Sequence, residues 1–140
     1  MNFKFRFFSL FREIFISHHR SLEFRARILA AMICVKKTIT NDDYNTIKEI
    51  AIEIYGKDAK RIGVLVQIVK EYIDKIKVQK IYNIDDFLKQ IDIELQKVPR
   101  YTKKIDFSHL RRLMINSDEE DGLIQQRVYE YMISEVKIYG

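Results

Sequence analysis

The sequence predicts an all-α fold: a single bundle of about seven helices and no strand. Three observations lead there. Four Gly and one Pro in 140 residues leave few interruptions, which favours long helices over a turn-rich β fold. Apolar residues recur every three or four positions along most of the chain, the period of a helix with a buried face. Helix starts are marked by Ser, Thr, Asn and Asp, whose side chains satisfy free backbone N–H groups. A chain of this length buries roughly two thirds of the surface its unfolded form exposes, so it needs no metal or disulfide to fold. No linker or low-complexity tract divides it, and residues 1–140 read as one domain.

Residues 1–18 read as an amphipathic helix. At 100° per residue Phe3, Phe7, Phe8, Leu10, Phe11, Ile14 and Phe15 fill an arc of roughly 160°. Arg6, Ser9, Arg12 and Glu13 lie mostly opposite, while Lys4 falls inside the apolar arc. Such a helix either docks on the bundle with its cations outward or lies in a membrane interface with Phe3, Phe7, Phe8, Phe11 and Phe15 as its lipid face.

Ser21 is placed to cap a helix running to about Lys36, apolar enough for burial on most sides. Thr40 caps the next, with Asp42 and Asp43 in a first turn where negative charge suits the helix dipole. Tyr44, Ile47, Ile50, Ala51 and Ile54 form its stripe, and Gly56 stops it. A helix over residues 58–77 follows. Ile62, Leu65, Val66, Val69, Ile73 and Ile76 make one face, and Val64, Ile68 and Tyr72 widen it enough to put this helix mid-bundle.

Asn83, with Asp85 and Asp86, opens a helix that Pro99 must stop, and residues 98–104 read as a loop. Asp106 begins a short helix through Leu110 and Leu113. Ser117 answered by Glu120 fits a capping box for the last helix, which carries Leu123, Val128, Tyr131, Met132 and Val136. The run Ile39-Thr40-Asn41-Asp42-Asp43 is echoed at Ile115-Asn116-Ser117-Asp118-Glu119. Each run precedes a helix ending Ile-Tyr-Gly.

The net charge of +5 is uneven: residues 1–37 hold eight Lys or Arg against Glu13 and Glu23, and the remainder is nearly neutral. No apolar run approaches the roughly 20 residues of a membrane span. With Lys4, Arg6 and Arg12 breaking the Phe-rich start before a signal-peptide core forms, a cytoplasmic protein is expected. The single cysteine, Cys34, sits in an apolar run and reads as an inert core residue in a reducing compartment.

Chemistry-bearing motifs are sparse. His18 and His19 are adjacent and point about 100° apart on a helix, without a ligand partner at metal spacing. Ser108, His109 and Asp106 are mere sequence neighbours, and a triad needs geometry built across the fold. With no phosphate loop, nucleophile elbow or paired-Cys motif, no enzyme activity is expected. Two basic groups stand out, Arg20, Arg25, Arg27, Lys36 and Lys37, then Lys97, Arg100, Lys103, Lys104, Arg111 and Arg112. No nucleic-acid recognition signature accompanies either, so nucleic acid is not the expected partner.

Residues 22–72 carry a family likeness. Leu22-Glu23-Phe24-Arg25-Ala26-Arg27-Ile28-Leu29-Ala30-Ala31-Met32-Ile33, then Ile39-Thr40, then Ile47-Lys48-Glu49-Ile50-Ala51, resembles the first half of a tellurite-resistance TerB-like domain. That resemblance implies about seven helices in two related halves, with later residues matching through helix layout and the acids at 118–121. It also associates the acid matched by Asp43 with metal binding. On their own chemistry Asp42, Asp43, Asp118, Glu119, Glu120 and Asp121 suit a hard divalent ion if the halves bring them together. The family has Asp-Gly where this sequence has Lys36-Lys37; Ile39 and Asp43 match its later positions. The competing role for these acids is helix capping.

The expectation is therefore a non-catalytic TerB-like interaction domain working through an unidentified protein partner. The resemblance associates it with stress responses at the cytoplasmic face of the membrane. The alternatives are a peripheral membrane binder anchored by its Phe-rich start, or a divalent-cation binder; no other cofactor is expected.

Overall fold

In a computed structural model, residues 19–140 are described and form an all-α bundle. The amphipathic helix expected over residues 1–18, with Phe3, Phe7, Phe8, Phe11 and Phe15, lies outside them. Among the described residues there are six α-helices, one 3-10 helix and one π-helical turn, and no strand.

Helix α1 (Arg20–Cys34) forms the axis, and ten of its fifteen residues are buried. Ala26, Ala30 and Ala31 keep its surface narrow, so neighbouring helices approach closely, while Leu22, Phe24, Ile28, Leu29, Met32 and Ile33 fill the gaps. Each large apolar side chain so buried contributes about 1.5–3 kcal/mol before conformational entropy is set against it. The cap position falls two residues before Ser21, and the helix itself begins at Arg20. His19 takes that position without a side-chain bond to the backbone, and its ring instead meets Arg61 at 3.1 Å.

Helix α2 (Asn41–Tyr55) starts at Thr40, whose N–H donates to Asp43 Oδ2 at 2.9 Å. Gly56 ends it at φ +63°, where a side chain is strained. Asp58 caps α3 (Ala59–Ile73) by accepting from Arg61 N–H at 3.1 Å. The widened stripe is what packs: Val64, Leu65, Ile68, Val69, Tyr72 and Ile73 are buried against α1 and α2. The last stretch of the helix expected over residues 58–77 loosens into a π turn, Asp74–Val78. Asn83 caps α4 (Ile84–Lys97) through Asp86 N–H, and Phe87, Ile91 and Leu95 face the core.

Residues 98–104 are not a loop. Pro99–Lys104 winds into a 3-10 helix that buries Tyr101 and Thr102, with the Tyr101 ring 5.2 Å from that of Phe24. Asp106 caps the short α5 (Phe107–Arg112). The last helix, α6 (Glu119–Tyr139), is capped by Asp118, which accepts from Asp121 N–H at 2.8 Å. The Ser117 capping box does not form, because the Ser117 hydroxyl is bonded to Gln125 Oε1 at 2.6 Å. The two echoed runs therefore cap differently, at Thr40 and Asp118, and open helices of 15 and 21 residues.

Candidate functional site

The turn joining α1 to α2 brings the two acidic helix starts together around two lysines. Lys36 is only 4% exposed and Asp43 6%, and the Lys36 ammonium bonds both Asp43 oxygens at 2.7 and 2.9 Å. The next residue faces the other way. Lys37 N–H donates to Asp121 Oδ1 at 3.0 Å, and its ammonium pairs with Glu120. Lys77, in the π turn, donates to the Lys36 carbonyl, and Gln125 Nε2 donates to the carbonyls of Met32 at 2.9 Å and Leu113 at 3.1 Å. One corner thus joins α1, α2, α3 and α6 through charges and backbone.

The structure brings Asp43, Glu120 and Asp121 to this corner, with Asp118 beside it as the α6 cap. Asp42 and Glu119 are exposed first-turn residues, and the Asp42 carbonyl accepts from Thr46. Among the described residues no three His, Cys, Asp or Glu side chains are grouped closely enough to hold a metal ion. The corner charges balance with lysine ammonium as the cation.

Asp106 takes both the N–H and the hydroxyl of Ser108 on one oxygen, at 2.9 and 2.6 Å, with His109 at 3.6 Å on the other. The hydroxyl therefore serves the cap and does not point at the imidazole. Cys34 is buried, with its thiol on the Ala31 carbonyl, and burial pushes its pKa up to about 12. Several cations of the two basic groups are engaged internally: Arg25 with Tyr55, Arg112 with Glu49 and Glu53, and Arg111 with Tyr129.

A cleft of about 400 Å³ lies between α1, α4 and the 3-10 helix, lined by Arg20, Glu23, Arg27, Ile93, Glu94, Lys97 and Tyr101 among others. Arg27 is the hub of its floor. Its Nε donates to the Tyr72 hydroxyl at 2.9 Å, one NH group pairs with Glu94, and Glu23 Oε1 lies 3.7 Å away. The Tyr72 hydroxyl donates to Glu23 at 2.6 Å. Burial pushes the Glu94 carboxyl up, and Arg27 pulls it back. Burial by itself lowers the Arg27 pKa, but Tyr72 and Glu94 outweigh it and hold the guanidinium charged. Arg20, Ile93 and Lys97 remain exposed along the cleft.

Sequence reasoning missed the cleft and the Gln125 bridge. A signal for the second was present: Gln125, Val128, Met132 and Glu135 share the buried stripe of α6, and two of them are polar. Polar residues on an apolar stripe point to buried hydrogen bonds.

Compared with known protein families, with curated proteins and with solved structures, the chain matches none. Among the described residues no helix is long and apolar enough to cross a membrane.

Proposed function

We propose that this chain is a non-catalytic interaction domain of the TerB-like type, acting through a protein partner in a stress response at the cytoplasmic face of the membrane. The family part of the reading rests on the residue pattern at 22–72. The interaction part rests on the cleft between α1 and α4. It has the size of a binding pocket, apolar walls from Ile93, Val98 and Tyr101, and exposed cations at Arg20 and Lys97. The acids and lysines of the corner hold one another, which leaves them to the fold.

The cleft reading is tested by replacing Ile93 with Asp and Lys97 with Glu together, two exposed positions. Cross-linking in cells, followed by mass spectrometry, should recover a partner with the native chain and lose it with the variant at unchanged Tm. Equal recovery from both chains would sink the cleft as the docking surface.

The Phe arc of residues 3–15 favours a second reading, a peripheral membrane binder. Co-sedimentation with anionic vesicles separates the two. The interaction domain leaves the full chain unbound, whereas the membrane reading has it sediment and a folded chain lacking residues 1–16 stay behind. A divalent-cation role is tested by calorimetry with calcium, magnesium and zinc, and a Kd weaker than about 1 mM ends it.

A further inference from the structure

Further along α6 from the corner, toward its C-terminal end, two carboxyl groups meet across a helix contact. Glu135 of α6 is 3% exposed, and its Oε2 is buried with no hydrogen-bond donor in reach. The Asp92 carboxylate of α4 lies within side-chain hydrogen-bonding distance of it. Asp92 itself accepts twice, from the Tyr139 hydroxyl at 2.7 Å and from Gln96 Nε2 at 2.8 Å. Two donors favour its ionised form. A second ionised carboxylate beside it, buried and with no lysine or arginine, carries a repulsion that a single proton removes.

We propose that Asp92 and Glu135 share one proton, carried on Glu135, and form a pH-sensitive clasp that holds the last turns of α6 against α4. The groups facing Glu135 are Asp92 from α4 and Tyr131 and Tyr139 from α6. The Tyr131 hydroxyl donates to the Leu88 carbonyl at 2.9 Å and so ties the same helices by a bond that does not titrate near neutrality. The other elements touching α6, among them α1, α5 and the 3-10 helix, bring no charged group to Glu135 among the described residues.

The direction of the effect follows from linkage. Burial holds the Glu135 carboxyl above the ordinary glutamate range; the Tyr131 hydroxyl pulls it back, and Asp92 adds to the rise. A carboxyl raised in the folded state binds its proton there more tightly than in the unfolded chain. Its contribution is therefore complete below the unfolded pKa and is lost as pH rises through the folded one. Asp92 is held low, chiefly by Tyr139, and works the opposite way: its contribution is lost as pH falls through its own pKa. Between the two the clasp is closed. Above them Glu135 ionises and the end of α6 loosens.

The test uses the full chain. Carbon-detected NMR of the side-chain carboxyls should give Glu135 a midpoint above that of a solvated glutamate, and Asp92→Asn should move it down. In thermal melts across the same pH interval, the native chain should lose Tm as Glu135 ionises while Glu135→Gln stays flat and is the more stable at the alkaline end. Amide exchange in residues 131–139 should quicken with the same midpoint. A Glu135 midpoint at or below the solvated value overturns the proposal, and this readout needs no variant to fold. A midpoint that moves with millimolar calcium or magnesium also overturns it, because the pair would then hold an ion in place of a proton.

Discussion

Removing the Lys36 ammonium leaves the Asp43 carboxylate buried without its partner. Breaking a buried pair from one side costs about 3–5 kcal/mol, so Lys36→Met should lower the urea midpoint sharply. Adding Asp43→Asn should recover much of that loss, since no buried charge remains and an amide oxygen still accepts from Thr40 N–H. Equal stability of the single and double variants would show the pair to be unimportant. Cys34 is the other residue whose environment decides its chemistry. With its pKa at about 12 the thiolate is scarce near neutral pH, so a thiol reagent at pH 8 should modify the native chain only at the rate of unfolding. Fast labelling without denaturant would contradict the burial.

At the scale of the element, signals confined to one helix start were legible and signals that depend on a distant partner were not. Thr40, Asn83 and Asp106 cap as their sequence predicts, because each meets a backbone N–H two or three residues away or an acid placed at that spacing. Ser117 has the same local qualification, yet Gln125 claims its hydroxyl. Ser21 loses the cap of α1 where His19 meets Arg61 of α3. The 3-10 helix was invisible because its reason is Tyr101 packing on Phe24, 77 positions earlier in the chain. Two glycines give a prediction of opposite signs. Gly56 sits at φ +63° in open space, so Gly56→Ala meets only backbone strain and should cost about 1 kcal/mol. Gly63 lies inside α3, also in open space and exposed, so Gly63→Ala should stabilise by about 0.5–1 kcal/mol. Chemical denaturation of the two variants checks both signs, and a shared sign would refute the backbone assignment at one of them.

Across the whole molecule, the period of the apolar residues foretold the bundle and its buried faces, while the cleft and the corner escaped. Both are made by groups far apart in sequence, such as Lys37 and Asp121, separated by 84 positions. The likeness at residues 22–72 led to the acids at both helix starts as cation ligands. The lysine ammoniums that meet Asp43 and Glu120 there were visible in the sequence, but their placement was not. Gln125 is the clearest long-range tie, because its amide serves carbonyls in α1 and after α5. Gln125→Ala leaves both carbonyls short of a donor and should cost at least about 2 kcal/mol. Amide exchange should then accelerate at the end of α1 and in α6 together. Acceleration in α6 alone would mean that Gln125 does not couple them.

The corner also bears on how the polypeptide matures on the ribosome. Lys37 leaves the exit tunnel long before Glu120 and Asp121 have been translated, and Gln125 follows later still. A nascent chain that has completed α1, α2 and α3 can collapse on its shared apolar faces, yet it carries an unmatched lysine and an open Met32 carbonyl until the final helix arrives. Closure therefore waits for α6 to emerge, and force measured by an arrest peptide should rise only once the linker has released that helix.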